Sequence, residues 1–159
     1  MKLGLAFSTA ILAMFFWIPD ASAHRLVADD GTHGTPENAI SISDVNVSQV
    51  AYHSVTADAA RLWFKFSGKA NQTLYIQCGV PKIERLRSYR PAYAIIGPGL
   101  PQISLPFSAP EGLGGVVVTT DGVASPEEFY EPFTGTDSWT FPETDLVLPQ
   151  DGTYYVVAY

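Results

Sequence analysis

Short runs in which apolar and polar residues alternate recur along the chain, and they predict β-strands rather than helices. Within residues 61–66, Leu62, Phe64 and Phe66 occupy every second position, which places their side chains on one face of a strand. The run at 92–96 is apolar throughout, as in a strand that is covered on both faces. The predicted strands are 39–43, 45–50, 61–66, 73–78, 92–96, 115–119 and 152–158.

Glycine and proline separate these runs and exclude long helices. The chain has 13 glycines and 12 prolines, and turn-forming pairs such as Asp151-Gly152 lie between the apolar runs. Seven or eight short strands in 159 residues indicate one all-β domain, an antiparallel β-sandwich or jelly roll. Because the last run reaches almost to Tyr159, we expect either a docked final strand or a truncated chain. A membrane anchor is expected only if the sequence continues beyond Tyr159.

Residues 1–23 have the order of features of a secretory signal peptide. Lys2 precedes an uncharged apolar run, and Ala21-Ser22-Ala23 supplies the small residues of a cleavage site. The run is short for a membrane span, which takes about 20 apolar residues. We therefore predict cleavage after Ala23, export to the periplasm or the extracellular space, and a single mature domain over residues 24–159.

Charge is distributed unevenly along this mature domain. Residues 24–90 carry 8 basic and 6 acidic side chains, whereas residues 91–159 carry 9 acidic side chains and neither Lys nor Arg. The formal charge of −7 argues against nucleic-acid binding, since phosphate contacts need clustered cations. The basic segment 82–90 and the acidic second half predict self-association through complementary patches. Solubility alone is the alternative reason for the acidic residues.

The segment 123–145 is predicted as the longest loop, and it mixes acidic with aromatic side chains. Its aromatic residues suit a ligand-binding face, or they fold back to cap one end of the domain. Its carboxylates are oxygen ligands of the kind that calcium prefers. The candidate ligand-binding residues are Phe129, Tyr130, Phe133 and Trp139, and the candidate calcium ligands are Glu128, Glu131 and Asp137.

Cleavage after Ala23 would make His24 the first residue of the mature protein. The α-amine and imidazole of such a residue chelate Cu(II), and His33 or His53 would supply a third nitrogen. The alternative is a histidine that is first by accident on a frayed terminus. Copper and calcium are thus the cofactors that the sequence allows, and the simplest expectation is that the protein has none.

Catalytic motifs are absent from the sequence. It contains no G-x-S-x-G serine motif and no Gly-rich phosphate loop followed by lysine. A cell-surface hydrolase is therefore only a residual alternative. The lone cysteine, Cys78, excludes a disulfide within the chain, and we expect it to be a buried small apolar residue.

Two short segments resemble the bacterial pre-peptidase C-terminal type of β-sandwich. They are residues 61–68, RLWFKFSG, and the closing segment 152–156, GTYYV. The resemblance implies an accessory, non-catalytic exported module. The sequence therefore predicts a binding module at the cell envelope or surface, whose partner is a protein or a carbohydrate.

Overall fold

The computed structural model describes residues 25–132 and 134–159, and these residues form an all-β protein. The strands pair mostly antiparallel, which confirms the predicted fold class at this level. Within the described residues no helix is long and apolar enough to span a membrane. The predicted signal peptide, residues 1–23, lies outside the described residues, as does His24.

Twelve strands and one short 3-10 helix occur in these two ranges, more strands than the seven or eight predicted. The strands are β1 (Arg25–Val27), β2 (Ile40–Ser41), β3 (Gln49–Ala51), β4 (Leu62–Gly68), β5 (Thr73–Ile76), β6 (Gly79–Pro81), β7 (Ala92–Gly97), β8 (Gly114–Thr119), β9 (Glu127–Glu131), β10 (Thr136–Thr140), β11 (Thr144–Val147) and β12 (Gly152–Ala158). The 3-10 helix spans Glu84–Leu86, within the basic segment 82–90.

The largest sheet has five strands in the order β2-β4-β12-β7-β8. β12, near the end of the chain, pairs antiparallel with both β4 and β7. β7 pairs antiparallel with β8 at one edge, and β2 adds to β4 in parallel at the other. Each strand of this sheet overlaps one of the predicted apolar runs.

Both faces of the five-stranded sheet are covered, because alternate residues of each strand point to opposite sides. Apolar side chains on the first face are Phe66, Tyr93, Ile95 and Tyr154, which pack with Leu74, Leu100 and Leu148. Those on the second face are Trp63, Ala94, Ile96 and Val157, which pack with Ala39. This double covering is the physical reason for the uninterrupted apolar run at 92–96.

Tyr154 lies at the centre of the first face and has no exposed surface. Its ring lies against Gly68 and Gly97 on the neighbouring strands, where a Cβ on either glycine would collide with ring atoms. The hydroxyl donates to the carbonyl oxygen of Gln150 at 2.8 Å and accepts from the Gln150 N–H at 3.3 Å. Three strands of the sheet are thus fitted around one side chain.

Three smaller sheets are β1-β3, β11-β5 and β6-β10-β9. The β11-β5 pair covers part of the first face with Leu74, Ile76 and Leu146. Beside the β6-β10-β9 sheet, the buried side chains of Val80, Trp139 and Phe141 form a separate cluster.

The prediction of one long loop at 123–145 is wrong, because this segment contains β9, β10 and the start of β11. Three of the five residues of β9 are glutamates, so the strand lacks an apolar alternation that sequence analysis detects. Its prolines, Pro126, Pro132 and Pro142, lie between the strands rather than inside them, where no ladder hydrogen bond is lost.

Candidate functional site

A cleft of about 450 Å3 opens beside the second face of the five-stranded sheet. Its walls are the segments 34–37 and 107–110, and Arg61 and Trp63 complete the lining. Arg61 and Trp63 lie on either side of Leu62, the first residue of β4, and in extended chain such alternate residues point to the same side. The N–H of Trp63 donates to the carbonyl oxygen of His33 at 2.9 Å, which ties the first wall to the strand.

Aromatic rings hold the second wall in place. The ring centroids of Trp63 and Phe107 are 5.5 Å apart with an edge-to-face angle of 79°. Phe107 makes a similar contact with Tyr159 at 5.1 Å. The Arg61 Cζ atom lies 5.2 Å from the centroid of Phe107, a cation–π arrangement. Phe107 is itself only half-buried, so part of its surface faces the cleft.

Two hydrogen-bond donors of the cleft find no acceptor among residues 25–132 and 134–159. Trp63 is 1% exposed, and its Nε1 is the buried side-chain nitrogen for which the described residues provide no partner. Leaving a buried donor unpaired costs about 1–3 kcal/mol. The Arg61 guanidinium likewise makes no hydrogen bond or ion pair with the part of the chain that the structure describes. At the rim, exposed Glu37 supplies a carboxylate acceptor.

Next to the first wall, a turn brings together Asp29, Asp30 and His33. One oxygen or nitrogen atom from each of these side chains lies within 4.8 Å of the others. The Nδ1 of His33 donates to the carbonyl oxygen of Asn38 at 2.6 Å, so Nε2 is the ring nitrogen that faces away from this hydrogen bond. This Nε2 lies 3.4 Å from Oδ1 of Asp30.

His53 forms an ion pair with Asp29 in the same region. Its Nδ1 lies 2.7 Å from Oδ2 of Asp29, and its Nε2 lies 2.9 Å from the carbonyl oxygen of Ala59. The side chains are 11% and 4% exposed respectively. Burial acts to raise the pKa of Asp29, but hydrogen bonds from His53 and from the Gly31 N–H lower it more, and the pKa lies below its usual value.

The structure thus brings two of the three candidate copper ligands to one pair of aspartates. His33 lies 3.4 Å from Asp30, and His53 contacts Asp29. The two nitrogens of His53 are both engaged, whereas His33 keeps one available. The third candidate, His24, lies outside the described residues.

The candidate ligand-binding aromatic residues do not form one surface. Phe129 and Tyr130 are exposed, and as neighbours in β9 they point to opposite sides of the sheet. Trp139 is buried in the cluster with Val80 and Phe141. Phe133 lies outside the described residues.

The candidate calcium ligands are divided between the two sides of the β9-β10 hairpin. Glu128 is directly opposite Trp139 and Asp137 is opposite Tyr130, so Glu128 and Asp137 share one side while Glu131 faces the other. Glu128 is moreover paired with Lys82, with Oε2 and Nζ 2.6 Å apart. This hydrogen bond raises the pKa of Lys82. Among the described residues, the side chains that lie close enough together to hold one metal ion are instead those of Asp29, Asp30 and His33.

Cys78 is half-buried, less than the full burial expected from the sequence. Burial raises the pKa of its thiol to about 11. The thiol is therefore protonated at neutral pH, and since the thiolate is the reactive form, Cys78 is a poor nucleophile.

The cleft has no continuous signal in the sequence. The spacing of Arg61 and Trp63 does place them on one side of a predicted strand, but Phe107 lies in a proline-rich segment that carries no strand pattern. No protein-family model matches the sequence, and a search of curated proteins finds no significant match.

Proposed function

We propose that the protein is an exported, non-catalytic binding module, built as a β-sandwich, and that the cleft at Trp63 and Phe107 is its ligand site. Export is supported by the signal-peptide features of residues 1–23. The accessory role is what the resemblance to pre-peptidase C-terminal domains implies. The size of the cleft, about 450 Å3, is within the usual range for small-ligand sites.

The observation that carries this proposal is the buried indole N–H of Trp63, which lines the cleft and has no acceptor in the part of the chain that the structure describes. A ligand that supplies an acceptor there, after a small movement of a wall, removes the penalty of an unsatisfied buried donor. Arg61 offers further donors to the same ligand, Glu37 offers an acceptor, and Phe107 offers an apolar surface.

A carbohydrate fits this combination better than a purely apolar or purely anionic ligand. A sugar ring has a face of C–H groups, which suits the negative face of an aromatic ring. Its hydroxyl groups both donate and accept, as Arg61 and Glu37 together require. The ligand class that we propose is therefore an oligosaccharide of the cell envelope or surface.

Replacing Phe107 by alanine is expected to weaken oligosaccharide binding by about two- to tenfold, since an aromatic contact contributes about 0.5–1.5 kcal/mol and 1.4 kcal/mol corresponds to a factor of ten. The matched control is Phe129→Ala, which removes the same side chain from the exposed β9 strand. Binding is measured by titrating cell-wall and surface oligosaccharides while recording the indole N–H resonances of Trp63 and Trp139 by NMR.

The Trp63 resonance is expected to move during this titration, and the Trp139 resonance to stay in place. If Phe129→Ala abolishes binding while Phe107→Ala leaves it unchanged, the ligand site is on the hairpin instead. A peptide that moves the Trp63 resonance where no oligosaccharide does would overturn the assignment to carbohydrate.

Metal binding is a second candidate function, favoured by the convergence of Asp30 and His33 within the Asp29–His33 turn. We propose that His33 Nε2 supplies one nitrogen to Cu(II), and that the α-amine and imidazole of His24 supply the others after cleavage. The Nδ1 hydrogen bond to Asn38 orients the His33 ring as outer hydrogen bonds commonly orient metal-binding histidines.

The processed protein is expected to take up one copper ion, and His33→Ala to take up none at equal concentrations. Native mass spectrometry after addition of Cu(II), and separately of Ca(II), measures both. Acetylation of the His24 α-amine provides a control, because it removes this nitrogen ligand and changes no described residue. Equal copper uptake by the wild type and His33→Ala would exclude this site.

A further inference from the structure

The outer edge of β8 offers a row of backbone groups to solvent. β8 is the last strand of the five-stranded sheet, and its pairing with β7 runs from Ala92–Thr119 to Gly97–Gly114. Ala92 and Tyr159 exchange both of their backbone hydrogen bonds, so Ala92, Ala94 and Ile96 bond toward β12. The intervening residues of β7 therefore bond toward β8, to Val118, Val116 and Gly114.

The remaining β8 residues point their N–H and C=O groups away from the sheet. These are Gly115, Val117 and Thr119, and the N–H of Gly115 indeed donates outward, to the carbonyl oxygen of Pro101 at 2.8 Å. The segment 101–103 covers this end of the edge, where Ile103 also lies against Gly115. The outward backbone groups of Val117 and Thr119 have no hydrogen-bond partner among the described residues, and the Val117 side chain is 37% exposed.

This edge lacks the features by which proteins usually prevent strand addition. Its sequence is GGVVVT, six residues without a charge or a proline. Edge strands are normally protected by lysine, proline, bulges or short length. Both edges of the β6-β10-β9 sheet follow that rule, since β9 carries three glutamates and the three-residue β6 ends in Pro81.

We propose that β8 pairs antiparallel with β8 of a second copy of the chain, and so joins two five-stranded sheets into one of ten strands. The open groups fix the register. When Val117 lies opposite Thr119 of the second copy, each such pair exchanges two hydrogen bonds, and the twofold axis repeats the pair. This register leaves the Gly115–Pro101 bond intact and places Val118 opposite Val118 of the second copy.

A second copy suits this edge because the strand is complementary to itself. No charged side chain lies within β8, so pairing two copies opposes no like charges across the ladder. The nearest acid, Asp121, lies in the turn after β8 and outside the paired residues, because the Pro101 segment already covers Gly115. The contact is small compared with the about 1,200 Å2 of a stable interface, so dimerisation is expected to be reversible and dependent on concentration.

The test is sedimentation equilibrium of the processed protein over a range of concentrations. We expect the weight-average mass to rise from monomer toward dimer, and Val117→Lys to abolish this rise. The matched control is Val147→Lys, which introduces the same charge at another exposed valine, on β11 and 55% exposed. Circular dichroism verifies that both variants are folded.

Salt separates this interface from the charge patches that the sequence analysis predicts. A dimer held by backbone hydrogen bonds persists in 1 M NaCl, whereas attraction between exposed opposite charges is screened there over about 3 Å. In a Cys78→Ser background, oxidised Val118→Cys is expected to form a covalent dimer and Val116→Cys to form none, since position 118 alone meets its own equivalent. A strictly monomeric wild type overturns the proposal, as does a dimer that Val117→Lys leaves intact.

Discussion

Replacing Tyr154 by alanine is expected to lower the free energy of unfolding by about 3–5 kcal/mol, the usual cost of removing a large buried aromatic side chain. Tyr154 has no exposed surface, and its ring fills the space above Gly68 and Gly97. Neither glycine has a side chain that can move into the cavity. We therefore expect little relaxation around the truncated residue and a cost toward the upper end of this range.

Urea unfolding followed by near-UV circular dichroism measures this effect. Tyr154→Phe keeps the ring and removes the hydrogen bond to Gln150, so its expected cost is about 1 kcal/mol. Tyr75→Ala serves as the matched control, because Tyr75 is exposed on β5 and surface substitutions usually change stability by less than about 0.5 kcal/mol. Equal stability of Tyr154→Ala and Tyr75→Ala would falsify the central role of Tyr154.

The same central sheet is the part of the fold that the sequence predicts best. The runs at 61–66, 92–96, 115–119 and 152–158 correspond to β4, β7, β8 and β12. Each of these strands buries apolar side chains against at least one core cluster. Burial of one face of a strand requires apolar residues at every second position, and burial of both faces requires a continuous apolar run, so these strands can be predicted from the sequence.

The outer strands are harder to predict from the sequence, because their side chains are more exposed and turns shorten them. β9 exposes four of its five side chains, and an exposed strand needs no apolar alternation. β2 and β3 are short because turns interrupt the predicted runs. The Asp44 carboxylate, for instance, accepts from the backbone N–H of Asn46 at 2.9 Å, which bends the chain where a strand was expected at 45–50.

Only part of the candidate site can be predicted from the sequence, because the contacts of its residues depend on the tertiary fold. His33 and His53 were identified from their chemistry, but their partners depend on the folding of the chain. The acceptor for His53 is Asp29, 24 positions away. The unpaired state of the Trp63 indole is likewise a property of everything around it. A local sequence pattern cannot show that the Trp63 N–H has no acceptor among the described residues.

The Asp29–His53 ion pair is expected to make stability depend on pH below about 3.8, the ordinary value for Asp29. Since its pKa is lower in the folded protein than in the unfolded chain, the carboxylate contributes stability fully above that ordinary value. The contribution is lost as the pH falls through the folded pKa and the carboxylate takes up a proton.

Asp29→Ala is expected to cost about 1.5–3 kcal/mol at neutral pH, as for loss of a hydrogen bond to a charged group, and to remove part of the acid dependence. Urea unfolding between pH 2.5 and 7 measures both, with Asp58→Asn as a control at an exposed aspartate.

Loss of the Asp29–His53 contact should also affect the cleft, because this contact anchors the chain just before the wall formed by residues 34–37. Ligand affinity is then expected to fall in Asp29→Ala while the Phe107 ring contacts remain, since loosening one wall removes preorganisation without removing the aromatic surface. An Asp29→Ala variant with the stability profile and affinity of Asp58→Asn would show that this ion pair supports neither the fold nor the site.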